Sequence, residues 1–126
     1  MTIFFSADWH LGHFNIIKYC DRPFVTAEDM DYTIISNANQ EMSLDDELYH
    51  LGDFTLMGTN AAINYINRLT IKRIHLIPGS HDVGWLGKKG QRSAYLEQQT
   101  QGKAKVEPSL MTLKYEKKKI VLCHYA

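Results

Sequence analysis

Short apolar runs alternate along this chain with segments whose apolar residues recur at helical spacing, and each of the first three runs halts at a small polar cluster. Thr2 to Ser6 (TIFFS) is rich in β-branched and aromatic residues and stops at Asp8-Trp9-His10, which predicts a strand and then a loop. Asn15 to Cys20 reads as a short helix broken by Arg22-Pro23. Thr26, with Asp29 three residues on, opens a second helix that runs to about Glu41 and places Met30, Ile34, Ala38 and Met42 on one face. Glu47 to Leu51 is a second strand ending at Gly52-Asp53, and Asn60 to Leu69 a helix with Ile63, Ile66 and Leu69 on its buried side. Lys72 to Ile77 is a third strand, ending at Pro78-Gly79-Ser80-His81-Asp82.

This β-α-β-α-β alternation predicts parallel strands joined by crossovers in a mixed α/β fold. Val83 to Gly90 reads as a loop from its Gly and Lys content, and Arg92 to Gln101 as a polar helix. Strands follow near Lys103 to Val106, Leu110 to Tyr115 and Lys119 to His124, the last two joined by a Glu116-Lys117-Lys118 turn as an antiparallel hairpin. With no internal repeat, low-complexity stretch or dividing linker, residues 1–126 read as a single domain.

Composition narrows the classes. At 126 residues, 44% hydrophobic and 22% charged, the chain has the make-up of an ordinary globule with one core. Lys plus Arg equals Asp plus Glu at 14 each, so no global field draws it to nucleic acid or an anionic membrane, and a phosphate-bearing partner must be held locally. Two cysteines, Cys20 and Cys123, are too few for a disulfide framework and form no CxxC pair. No run approaches the roughly 18 apolar residues of a membrane span, and the chain opens straight into a strand, so a reducing cytoplasm is the expected setting.

The polar clusters carry the chemistry. Asp8 and His10, then Asp53, then His81 and Asp82 each follow a strand, and a further strand, Ile120 to Cys123, delivers His124. In open α/β sheets the C-terminal strand ends share one rim, so residues distant in sequence converge there. Carboxylate oxygens and imidazole nitrogens without thiolates suit Mn, Fe or Zn rather than calcium or an iron-sulfur cluster. Two such ions roughly 3.5 to 4 Å apart clamp a phosphate and lower the pKa of a bound water.

The residues Asp8-Trp9-His10, Gly52-Asp53, Gly79-Ser80-His81-Asp82 and His124, in this order, resemble the metallophosphoesterases, also called calcineurin-like phosphoesterases. That family's pattern reads D-x-H, G-D, G-N-H-D/E, H and finally G-H-x-H. The resemblance covers essentially the whole chain, and Asp8 to His13 with Asn15 to Cys20 and Arg22-Pro23-Phe24 is similar to a small bacterial and phage branch. It implies that Asp8 and His10 ligate a first metal, Asp53 bridges both, and His124 ligates the second. It also implies that His81 protonates the leaving oxygen or steadies the transferring phosphoryl group, with Asp82 orienting it. The implied cofactors are two divalent ions, Mn first, with Fe, Zn, Ni or Mg as alternatives.

Two departures from the pattern stand out. Ser80 replaces the family's Asn as the expected ligand of the second metal, and its shorter hydroxyl is the poorer donor. The sequence stops at Ala126 without a G-H-x-H block, which implies missing C-terminal strands, a lost protein ligand at each metal and an exposed edge that invites self-association.

Bland readings compete unevenly. Asp8, His10 and Asp53 as mere loop residues, or His81 and Asp82 as an ordinary Pro-Gly turn, fit poorly with their shared order, whereas His124 as a simple end-of-strand residue is a more serious rival. His13 divides evenly between substrate contact and loop surface, whereas Arg22 leans to the structural role more common for an Arg before Pro over a phosphate contact. His50 and His75 read as packed or exposed sheet residues. Lys88, Lys89 and Arg92 would form a phosphate-attracting lip, while Lys117 to Lys119 read as a solvated turn.

The leading expectation is therefore a metal-dependent phosphoesterase that hydrolyses a phosphodiester or phosphomonoester with metal-bound hydroxide. The alternative is an impaired metal- or phosphate-binding remnant or interaction module. The family handles nucleotides, nucleic-acid ends, phosphoproteins and lipid-head phosphodiesters, so the resemblance fixes no substrate. A small phosphoester is the expected partner, with no membrane and with nucleic acid not indicated by charge.

Overall fold

A computed structural model describes residues 1–124. The chain runs β1 (Ile3–Ser6), α1 (Phe14–Tyr19), α2 (Ala27–Glu41), β2 (Glu47–His50), α3 (Thr59–Arg68), β3 (Arg73–Leu76), α4 (Val83–Leu86), a 3-10 turn at Lys88–Gly90, α5 (Ser93–Gln99), β4 (Ala104–Val106), β5 (Leu110–Tyr115) and β6 (Lys118–Cys123). The first four strands form a parallel sheet in the order β1-β2-β3-β4, and β5 and β6 pair as a separate antiparallel hairpin. Register rows cross the sheet, such as Ser6, His50 and Leu76, so the strands end level with one another.

Side-chain chemistry explains the layers. The central strand β2 is buried at Leu48, Tyr49 and His50, as expected of a parallel strand covered on both faces. Leu48, Ile74, Leu76 and Ala104 share one core with Ile35 of α2, Ile66 of α3, Trp85 of α4 and Leu96 of α5. On the opposite face Tyr49 and Ile77 meet Leu122 of the hairpin, with Ile3, Met111, Leu113 and Ile120 packed around them. The hairpin turns at Glu116 and Lys117, both with positive φ (49° and 67°), the backbone that a two-residue primed turn demands.

Most predicted elements stand within a residue or two of their expected ends. Thr26 caps α2 by accepting the Asp29 backbone N–H at 3.1 Å, as its sequence spacing predicts. The stretch 83–90 departs from the expected loop: Val83–Leu86 is a short helix because Trp85 and Leu86 are buried there, with the Trp85 ring 5.9 Å from that of Phe54. A four-residue helix is too short for apolar periodicity to reveal. β4 also pairs parallel to β3, so α5 completes one more β-α-β unit than the alternation counted. Cys20 and Cys123 are free thiols, and no helix among the described residues is long and apolar enough to cross a membrane.

One acid ties the start of the sheet to the turn before β2. Asp46, only 8% exposed, accepts N–H bonds from Ser43 (2.7 Å) and Thr2 (2.8 Å). Those two bonds hold its carboxyl below the usual range. A carboxyl depressed in the folded state stabilises the fold fully above its unfolded pKa and loses that contribution as pH falls through the folded value. Wild type should therefore melt at higher temperature than Asp46→Asn at pH 6, and the gap should close below about pH 4. Melting curves across that range check this, and a gap independent of pH would refute the role of the charge.

Candidate metal centre

Parallel strand order brings the site together. The segments after β1 and β2 run side by side at the sheet's C-terminal rim: Asp8 N–H donates to the Gly52 carbonyl (2.9 Å), His10 N–H to that of Asp53 (3.0 Å) and Leu11 N–H to that of Phe54 (2.9 Å). To do so Asp8, His10 and Asp53 adopt left-handed backbone, with φ of 57°, 51° and 55°. Such conformations cost non-glycine residues on the order of 1 kcal/mol each and cluster at functional sites. Two glycines permit the closest approaches. A Cβ on Gly52 would stand 2.7 Å from His124 Nδ1, and one on Gly79 would stand 2.7 Å from Asp53 Oδ1.

The convergence centres on the buried carboxylate of Asp53. Its Oδ2 lies 2.9 Å from His81 Nδ1, 3.2 Å from His124 Nε2 and 3.8 Å from His10 Nε2, and His10 Nε2 is also 3.8 Å from Asp8 Oδ1. Asp8, His10 and Asp53 each offer a ligand atom, all within 4.8 Å of one another. Two donors bound to one ion at about 2.1 Å stand roughly 3.0 to 3.5 Å apart, so these spacings are close to those of a coordination shell.

The tautomer of His124 sharpens the fit. Its Nδ1 is 2.8 Å from the Leu51 carbonyl, which can only accept, so Nδ1 carries the proton. In the neutral ring Nε2 is then a bare lone pair, 3.2 Å from the Asp53 carboxylate oxygen. Two electron-rich atoms in contact call for a proton or a cation between them. A histidine whose second nitrogen donates to a carbonyl is also the usual arrangement of a metal ligand. The residues present therefore fit a divalent cation.

Electrostatics around the cluster run in both directions. Burial pushes the Asp53 carboxyl up, but hydrogen bonds from the His81 ring and backbone, with the neighbouring histidines, outweigh it and leave the group below its ordinary range. Burial lowers His10 against the opposing pull of Asp53 and Asp8, and burial likewise lowers His13. His50 is pushed down to about 3 by burial and stays neutral, with its Nδ1 accepting the Gly52 N–H at 3.3 Å. Its Nε2 has no hydrogen-bond partner among the described residues, and its ring stands edge-to-face with Trp9 (4.9 Å) and Phe54 (5.2 Å). His50 is thus packed beneath the cluster, as the sequence suggests.

Other expected site residues divide. His13 Nδ1 faces His10 Nδ1 at 3.4 Å, so it touches the cluster from its rim. Ser80, expected as the poorer ligand of the second metal, is exposed and lines the same cleft as His124. Asp82 does not orient the His81 ring: that ring bonds Asp53. The Asp82 carboxylate is buried and accepts from Asp53 N–H (2.8 Å), Gly79 N–H (2.7 Å), Phe54 N–H (3.0 Å) and Trp85 Nε1 (2.8 Å), so it positions the two loops instead.

Arg22 is likewise not free for a substrate phosphate. Its Nη2 donates to the Asp8 carbonyl at 2.9 Å and its Nη1 to the Trp9 carbonyl at 3.0 Å. His75 bridges Glu47 and Glu107, each at 3.0 Å, on the sheet face away from the helices, and has no part in the site. Arg92 bonds Thr59 at 3.1 Å, whereas Lys89 lines a cleft of about 660 Å³ that reaches Ser80 and His124. Sequence reading missed Asp31, a buried acid of α2 that accepts the Gly12 N–H (2.8 Å) and the Tyr65 hydroxyl (3.0 Å) and so anchors the loop beyond His10. Only its place beside Met30 on the buried face signals it.

No family model matches the chain. Over 81 residues, 64% of this chain and 46% of the other, it is 40% identical to an uncharacterized protein of Methanocaldococcus jannaschii. Its structure is similar to the crystal structure of a protein of unknown function from Aquifex aeolicus, with a TM-score of 0.71 and 26% identity over 98% of this chain and 60% of that one. The chain thus spans about half the length of the archaeal protein and three fifths of the Aquifex one, and it shares with the latter a mixed α/β architecture.

Proposed function

We propose that this chain supplies the metal-binding part of a phosphoesterase site, hydrolysing a phosphodiester or phosphomonoester. The observation that carries the reading is the Asp53 carboxylate set among three imidazoles, above all His124, whose Nε2 faces it at 3.2 Å while Nδ1 is held by the Leu51 carbonyl. Asp8, His10 and Asp53 would hold one divalent ion, and Asp53 with His124 a second, with Mn the first choice for this oxygen and nitrogen set. Bound ions would polarise a phosphoryl oxygen and acidify a water.

The chain's own residues do the rest. Asp53 would offset the positive charge of the ions it helps to hold. His81 donates from Nδ1 to Asp53, and as the doubly protonated imidazolium its half-exposed ring would still carry a proton on Nε2 to give to a departing oxygen, ending as the neutral Nδ1–H tautomer. The order of the motifs and their resemblance to metallophosphoesterases support the same reading. One observation favours a second reading, a metal- or phosphate-binding module without turnover: among the described residues Asp8, His10 and Asp53 form one group of three donors, and a second ion held by Asp53 and His124 would have few protein ligands.

Two measurements on the folded protein separate these readings, the Mn retained per chain after desalting and the Mn-dependent hydrolysis of bis(p-nitrophenyl) phosphate. The proposal expects Mn bound near two per chain and turnover that a chelator abolishes. One ion without turnover would favour the binding module, and no retained ion would refute the phosphoesterase and the metal-binding form of the module.

A further inference from the structure

We infer that Arg22 sets the metal affinity of this centre by locking the backbone of the Asp8–His10 turn, a positioning residue rather than a substrate contact. The inference rests on the metal reading above and adds a residue that touches no ligand atom.

The argument begins with the left-handed residues. Asp8 and His10 both have positive φ, an arrangement that side chains rarely adopt unassisted and that the surrounding structure must impose. The orientation of the two peptide planes between them decides where the Asp8 and His10 side chains point. Arg22 binds both planes at once, through Nη2 to the Asp8 carbonyl (2.9 Å) and Nη1 to the Trp9 carbonyl (3.0 Å). A planar guanidinium presents its N–H groups in a fixed fork, so catching two consecutive carbonyls fixes their relative rotation as a single-point donor cannot.

The clamp is itself well anchored. The Arg22 backbone N–H donates to the Ile17 carbonyl at 3.0 Å, its own carbonyl accepts from Phe24 N–H at 2.9 Å, and Nη1 also meets the sulfur of buried Met30 at 3.2 Å. Thus the end of α1, the start of α2 and the metal-ligand turn meet at one side chain. Without the fork the turn can relax toward ordinary backbone and swing Asp8 and His10 away from Asp53. Partners that orient metal ligands without touching the ion are worth about 10- to 100-fold in affinity.

The test is Mn titration by calorimetry on the wild-type chain, Arg22→Ala, Arg22→Lys and Asn39→Ala. The control Asn39 ties α2 to Arg68 and Thr70 before β3, at the rim opposite the site. Arg22→Ala and Arg22→Lys should each bind Mn about 10- to 100-fold more weakly, while Asn39→Ala keeps wild-type affinity whatever it does to the melting temperature. Arg22→Lys retains charge and stem but not the fork, and it carries the test should Arg22→Ala fail to fold. Wild-type affinity in the Arg22→Lys variant overturns the inference and leaves the metal reading standing. Equal weakening by Asn39→Ala overturns it as well, because general loosening would then explain the effect. If the wild-type chain binds no Mn, the metal reading fails and the inference falls with it.

Discussion

Under the proposed function, Asp53→Asn is expected to reduce Mn-dependent phosphodiesterase turnover by at least about 10³-fold and to lower Mn retention, while the protein stays folded. The substitution is nearly isosteric, and the amide oxygen can still accept the His81 backbone N–H that Asp53 Oδ1 takes at 3.1 Å. What disappears is the negative charge at Oδ2, the atom nearest His81, His124 and His10. In its place an amide N–H would point at His124 Nε2, or a neutral oxygen would face the ions. The divalent ions that this carboxylate would help to hold supply several kcal/mol of charge stabilisation when bound, and about 4 kcal/mol corresponds to 10³ in rate. Turnover assayed at saturating Mn, with circular dichroism confirming the fold, checks the prediction. Equal rates in wild type and Asp53→Asn would place the hydrolysis elsewhere and remove the proposed function.

The site was readable in the sequence because its logic is topological. Each of Asp8, His10, Asp53 and His81 follows a strand, and parallel strands in sequential order put those ends on one rim, so convergence follows once the alternation is recognised. Helix α2 was readable for a local reason, its Thr26 cap and acidic first turn. What escaped depends on geometry that no spacing encodes. The structural role of Arg22 was legible only as a general tendency of an Arg before Pro, because its partners are backbone carbonyls, displayed only once Asp8 and His10 turn left-handed. Asp82 reads as the partner of adjacent His81, yet the turn sends its carboxylate inward while the ring stays half-exposed. Helix α4 and the parallel direction of the expected strand β4 escaped because four and three residues carry too little periodicity to oppose Gly and Lys signals or to reveal strand direction.

The same inward turn makes Asp82 the position where one substitution should cost most stability. Asp82→Ala removes an acceptor of four hydrogen bonds and leaves the N–H groups of Asp53, Phe54 and Gly79 and the Trp85 indole without their partner in a site closed to water. The carboxylate is 1% exposed, so solvent offers little replacement. Each buried donor left unsatisfied costs about 1 to 3 kcal/mol, so the loss is at least about 3 kcal/mol, which in a domain of this size lowers the melting temperature by roughly 10 °C or more. Asp82→Asn should fall in between. Each carboxylate oxygen accepts from two donors, Oδ2 from Asp53 and Gly79 and Oδ1 from Phe54 and Trp85, so either amide orientation sets an NH₂ group against two N–H donors and keeps only one pair. Urea melts of wild type, Asp82→Asn and Asp82→Ala should therefore rank in that order of decreasing stability. Since the lost bonds hold the Asp53 and Gly79 loops together, Mn affinity should fall in the same order. A destabilisation below about 1 kcal/mol in Asp82→Ala would mean that the four donors find other partners, and the two loops would not owe their approach to this carboxylate.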